Sequence, residues 1–309
     1  MGKITRGINN EFAEIFNNTA VYDLLLKYPD ELFLGIRNNY INIYYRGLSI
    51  CKGKVVKGEF KAEIAKRYLD SSAPGGYTSI TPGALAQHYK RIKKNIDTFY
   101  ACKHKEKDAQ QRLVNNNNGN PDSEWICIDI EYKKQRLSGA EADPGRFDII
   151  AVTKAAPHRV ALIELKCGVG AIGGSSGILK HACDYRRFLQ SGEFENHLIP
   201  EIVDMVRSYN MIFPECTLAD SVDSEDAFCR MPEFYFITLE SRGDRARSTM
   251  RRYVRNDVER AARDNVRDKL GIDITIPNEE GFTPIFLFAD GDGSDIDKII
   301  GDSNYLIGL

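Results

Sequence analysis

The chain contains no run of about eighteen consecutive apolar residues, and its opening segment, MGKITRGINNEFAEIF, has no apolar core of the kind that drives secretion. Neither a membrane span nor an export signal is predicted, and a cytoplasmic protein is expected. No CxxC pair or Cys/His cluster with zinc spacing occurs among the seven cysteines, whose odd number and wide separation predict reduced structural thiols. Gly2 is followed by Arg6 where a myristoylation motif wants Ser or Thr. The glycines at 168, 170, 173, 174 and 177 fit neither G-x-G-x-x-G nor a P-loop, because no GKS or GKT is present. The segment DGDGSDID near the end lacks the twelfth-position Glu of a calcium loop. A strong net charge is missing too. Lys and Arg number 42 against 44 Asp and Glu, a formal −2, so any contact with a polyanion must come from a local basic surface.

What is present is an ordinary globular composition, 42% hydrophobic and 28% charged over 309 residues, enough for one large domain or two modest ones. Periodicity predicts a helix over Asn10 to Lys27, and the runs either side of Arg37-Asn38-Asn39 predict a β-hairpin. A longer helical pattern covers Pro82 to Leu113. The Asn-rich tract 115–121, of low helix propensity, is expected to be a loop dividing an N-terminal α+β region, 1–114, expected to recognise substrate or a partner, from a core, 122–309. In that core, strands are predicted at 124–132, 146–152, 159–167, 233–240 and 284–290. Helices are predicted at 178–189, at Leu198 to Tyr209, and in the Arg-rich stretch from Asp244 to Leu270. This order belongs to an α/β or mixed α+β sheet with helices on its faces.

Residues two apart on a strand share a face, so Glu164 and Lys166 follow Val160 and Leu162, and Asp148 precedes Ile150 and Val152. A symmetric hairpin pairing Val152 with Val160 sets Asp148 opposite Glu164, with Lys166 one step beyond. A one-residue slip would send Asp148 to the other face. Facing carboxylates repel, and a divalent cation removes the conflict: Mg²⁺ takes one or two carboxylates and leaves its other positions to water and phosphate. A neighbouring ammonium can orient a water or balance charge on phosphoryl oxygens. Taken alone, an E-L-K tripeptide is as readily an ion-paired group at a sheet edge.

GRFDIIAV followed by RVALIELKCG resembles the core motif of the PD-(D/E)XK phosphodiesterase superfamily of restriction-endonuclease-like nucleases, over about 45 residues. The resemblance implies a central mixed sheet flanked by helices. It implies Mg²⁺, with Mn²⁺ as a substitute, bound by Asp148, Glu164 and the Leu165 carbonyl, and Lys166 as the catalytic lysine. It also implies a nucleic-acid substrate, DNA foremost, in a restriction or defence setting. Arg146-Phe147 stand where the name-giving pattern has Pro before its acid. The alternatives from other classes are an inactive nucleic-acid-binding or assembly module of the same fold and a hydrolase of a small phosphodiester; whichever holds, a homo-oligomer or a protein partner is compatible with the sequence.

The superfamily often adds an acid from the preceding element. Glu131, at the end of its strand, is the candidate for metal binding and catalysis, with Glu106 as the competing choice. Lys180 and His181, on the helix after the motif, are expected to contact substrate or steady the site, or else to lie on a plain surface helix with Lys180 and Asp184 as an exposed pair. From Arg242 to Lys269, ten basic residues face five acids. That stretch reads either as a stripe along a phosphate backbone or as a solvated helix with its own i,i+4 pairs.

Overall fold

Two consecutive turns account for most of the first sheet. Arg46 and Gly47 have φ of 51° and 70°, and Lys57 and Gly58 have φ of 53° and 75°. Left-handed backbone at both central positions matches the natural twist of paired strands, so each turn closes a two-residue hairpin. In the computed structural model, which describes residues 6–133, 146–168, 171, 178–214, 222, 224–239, 284–289, 295–302 and 306–307, these turns join β2 (Ile41–Tyr45), β3 (Leu48–Val56) and β4 (Glu59–Ala65). With β1 (Leu32–Ile36) and β5 (Tyr77–Ile80) they form a five-stranded antiparallel sheet in the order β1-β2-β3-β4-β5.

Buried Phe60 of β4 meets Phe12 and Phe16 of α1 (Asn10–Asn17) at 6.1 and 5.2 Å between ring centroids. The single helix expected over residues 10–27 is two. Asn18 ends α1, and the Thr19 side chain caps α2 (Ala20–Lys27) by accepting from the Tyr22 amide. The long pattern from Pro82 also breaks, into α4 (Pro82–Phe99), which follows the short helix α3 (Lys66–Leu69), and α5 (Lys105–Gly119), with a 3₁₀ turn at Ala101–Lys103 between them.

The expected Asn-rich loop is corrected over its first five residues, because α5 runs through them to Gly119. Asn117 is buried, and the Asn115 amide donates to the Asp30 carbonyl at 2.8 Å. Tertiary contacts here outweigh the poor helix propensity of Asn.

The chain divides into two compact units, residues 1–119 with 200–225, and residues 120–199 with 226–309. The first thus takes back a segment that the sequence assigned to the core. Helix α7 (Ile199–Ile212) presents Ser208, whose hydroxyl accepts from the Ile8 amide at 3.0 Å, and Asn17 donates to the Ile212 carbonyl.

The second unit is built on a six-stranded mixed sheet in the order β11-β10-β9-β8-β7-β6. Strands β6 (Trp125–Lys133), β7 (Arg146–Thr153) and β8 (Val160–Cys167) pair antiparallel. Strands β8, β9 (Glu233–Leu239) and β10 (Pro284–Phe288) pair parallel, and β11 (Leu306–Ile307) is antiparallel to β10. Near-continuous burial along β6 to β9 is the pattern of a sheet covered on both faces. Helix α6 (Ile178–Gln190) lays Tyr185 against Phe234 and Phe236, and Phe188 against Phe147.

Asp295 accepts from the Lys298 amide at the start of α8 (Ile296–Asp302), and Asp297 accepts from the Ser123 hydroxyl and the Glu124 amide. These two acids of DGDGSDID are thereby given structural partners. The Arg-rich stretch 242–269 lies outside the described residues, as does nearly all of the Gly/Ser segment 169–177. Among the described residues no helix is long and apolar enough to cross a membrane. Mixed α+β architecture on two sheets, with an N-terminal hairpin, agrees with the class read from the sequence.

Candidate functional site

Strands β7 and β8 pair Val152 with Val160, Ala151 with Ala161, Ile150 with Leu162 and Ile149 with Ile163. That is the symmetric register expected from the sequence, and the next step sets Asp148 opposite Glu164. The backbone ladder stops there. The Asp148 carboxylate instead accepts from the Leu165 amide at 2.8 Å through Oδ2, taking the place of a backbone acceptor. As β7 turns out of the ladder, Phe147 packs under α6, 4.9 Å from the Tyr185 ring and 5.0 Å from Phe188.

Glu164 is only 3% exposed and Lys166 only 6%. Glu164 Oε1 receives the Lys166 ammonium at 2.6 Å and lies 3.0 Å from His181 Nε2, and Oε2 accepts the Tyr185 hydroxyl at 2.9 Å. His181 and Tyr185 are four residues apart, so one face of α6 delivers both to the same carboxylate. Burial pushes the Tyr185 phenol well above its ordinary value, and the charges of Glu164 and Asp148 add to the shift. Tyr185 therefore serves Glu164 as a hydrogen-bond donor.

Four of the predicted residues, Asp148, Glu164, Lys166 and His181, converge in this way, with Leu165 between the two charged strand residues. The Lys180 side chain lies outside the described residues. Asp184 pairs with Arg187 at 3.8 Å.

Glu131 has an unexpected backbone. The β6–β7 register shifts between Cys127 and Asp129, and the pairs Ile130–Ile149 and Tyr132–Phe147 bracket Glu131 opposite Asp148. Its φ of 53° is left-handed, however, so the face expected from simple alternation with Asp129 does not carry over. Asp129 itself is fully buried and accepts from the Ile130 amide. Glu106 lies in the first turn of α5, in the other unit.

Tyr185 shares a helix stripe with His181, but the sequence alone assigns it no role at the site. Its signal was its position one turn after His181, on the helix that follows the E-L-K strand.

Among the described residues, no group of three or more His, Cys, Asp or Glu side chains is gathered to hold a metal ion. Glu131 is thus not assembled with Asp148 and Glu164 into a triad, and a zinc-type site is not built here. A hard divalent cation asks for fewer protein donors, since Mg²⁺ takes one or two carboxylates and keeps most of its shell for water and phosphate. Comparisons with protein-family models, with curated proteins and with solved structures found no match to this chain.

Proposed function

We propose that the second unit is a Mg²⁺-dependent phosphodiester hydrolase of restriction-endonuclease-like architecture, acting on nucleic acid and foremost on DNA. One observation carries the reading: the Asp148 carboxylate is tied to the amide between Glu164 and Lys166, which places two acids and one ammonium at the point where β7 leaves the ladder.

In this reading Asp148 and Glu164, with the Leu165 carbonyl, hold the cation, which when bound lowers the pKa of a water and offsets charge on the phosphate. Lys166 Nζ turns from Glu164 toward the scissile phosphate, where it positions the attacking water and balances charge on the non-bridging oxygens. His181 and Tyr185 fix the Glu164 carboxylate by hydrogen bonds to each of its oxygens. Their role is positioning, because both act through Glu164. A setting in restriction or defence follows from the resemblance of FDIIAV and ALIELK alone.

A second reading is favoured by a specific observation: Lys166, His181 and Tyr185 together already occupy both oxygens of Glu164. Such a network is complete as a buried ion pair, as in a binding or assembly module without turnover. Incubation with plasmid, linear duplex, single-stranded DNA and RNA, in Mg²⁺, Mn²⁺ or EDTA, separates the two. Cleavage that needs the metal supports the hydrolase; binding with no cleavage of any substrate supports the module.

A further inference from the structure

Charge is unevenly distributed along this nearly neutral chain. Residues 1–119 hold nineteen Lys and Arg against eleven Asp and Glu, a net +8, so the remaining 190 residues carry −10. Six basic residues lie between Lys52 and Arg67, with only Glu59 and Glu63 as acids.

Alternation sorts three of them, Lys52, Lys54 and Lys61, onto one side of the first sheet. Phe60, Ala62 and Ile64 are buried, with Phe60 under α1, while Lys52, Lys54 and Lys61 are exposed between them. Register sets Lys54 directly opposite Lys61. Like charges facing each other across a strand pair are unfavourable, and a shared anion relieves them. Glu59 pairs with Lys61, whereas no ion pair or hydrogen bond engages the Lys54 ammonium among the described residues. Lys52 lies 5.0 Å over the Tyr40 ring at one side, and Tyr77, 67% exposed on edge strand β5, stands at the other.

We propose that this face, built from Lys52, Lys54 and Lys61, with Glu63 opposite Lys52 and Tyr77 on the same side roughly 14 Å along the sheet from Lys61, is a binding surface for a nucleic-acid strand. The cations contact phosphates without regard to sequence, and the Tyr77 ring stacks on a base. Lys52 and Lys54 lie about 6.8 Å apart along one strand, and Lys61 is the cross-strand neighbour of Lys54, so the three form a compact cluster for a folded-over or extended backbone. A membrane surface fits less well: the only large apolar side chain exposed on these strands besides Tyr77 is Val56. The choice of nucleic acid rests on the proposed activity of the second unit, but the surface is independent of the catalytic residues.

The test is fluorescence anisotropy of labelled single-stranded DNA, duplex DNA and RNA, in EDTA and on an Asp148→Ala background, so that cleavage plays no part. The triple variant Lys52→Gln, Lys54→Gln, Lys61→Gln is compared with Lys90→Gln, Arg91→Gln, Lys94→Gln on α4, which removes the same charge from other exposed positions. The sheet variant is expected to lower the slope of log affinity against log salt by about two to three, and the α4 variant by less than one. Tyr77→Ala is expected to weaken single-strand binding at least about fivefold.

Equal losses in both triple variants, or none in the sheet variant, overturn the assignment of this face. Lysine-dependent binding to an acidic peptide or to anionic vesicles, with no binding to any nucleic acid, overturns the class of partner. Absence of cleavage by the wild-type chain alongside intact, lysine-dependent binding counts against the hydrolase reading only.

Discussion

Asp148 Oδ2 lies 2.8 Å from the amide nitrogen of Leu165, which makes a side chain of one strand the hydrogen-bond partner of its neighbour's backbone. The bond fixes Asp148 against the residue between Glu164 and Lys166. It also ends the β7–β8 ladder one step after Ile149 pairs with Ile163.

The Glu164–Lys166 pair is buried, and removing one partner strands the other charge. Glu164→Ala is expected to destabilise the protein by about 3–5 kcal/mol, while Glu164→Leu with Lys166→Met recovers much of that loss. Urea denaturation of the single and double variants checks this. Equal stability of Glu164→Ala and wild type would contradict the buried pair.

Tyr185 makes a prediction for alkaline pH. Its folded-state pKa is raised above the unfolded value of about 10, so the native state holds the proton more tightly. The stabilisation is complete below about pH 10 and is lost as pH rises through the folded-state value, at up to about 1.4 kcal/mol per pH unit. Tyr185→Phe is expected to cost about 1–3 kcal/mol at neutral pH, through the lost bond to charged Glu164, and to flatten the decline above pH 10. Denaturation midpoints at pH 8 and pH 11 measure both effects; an unchanged decline in the variant argues against a buried phenol on Glu164.

Gly47 and Gly58 occupy equivalent places in the two hairpin turns, yet their surroundings differ. A Cβ on Gly47 would fall 2.3 Å from the Lys107 carbonyl oxygen, whereas one on Gly58 meets nothing within 4 Å. Gly58→Ala therefore pays only for left-handed backbone, about 1–2 kcal/mol, and Gly47→Ala adds a backbone collision costing a further ~1–3 kcal/mol. Thermal melts of the two variants compare them directly, and equal losses would contradict the close approach of α5 to the β2–β3 turn.

These particulars show which parts of the molecule were legible beforehand. Strands β6, β7, β8 and β9 announce themselves through unbroken Ile, Val and aromatic runs, and the Val152–Val160 register follows from a short, symmetric connection. Strands β3 and β4 carry no such signal. Their turns are Arg-Gly and Lys-Gly rather than Asn-Gly, and Gly53 sits under Phe60, where a strand ordinarily places a larger side chain.

The helical Asn tract was hidden for a different reason. Local propensity opposed it, and only contacts such as Asn115 with Asp30, 85 residues away, decide it. At the site, Asp148, Glu164 and Lys166 could be brought together from alternation and register alone. The left-handed backbone at Glu131 could not, since neither it nor the register shift between Cys127 and Asp129 leaves a mark on an apolar alternation.

The most direct measurement is the rate of plasmid cleavage in Mg²⁺ and in EDTA by the wild-type chain beside Asp148→Ala, Glu164→Ala and Lys166→Ala, each checked for folding. The account predicts metal-dependent cleavage by wild type and a loss of at least about a hundredfold in every variant. Metal-dependent cleavage that persists at the wild-type rate in all three would contradict it.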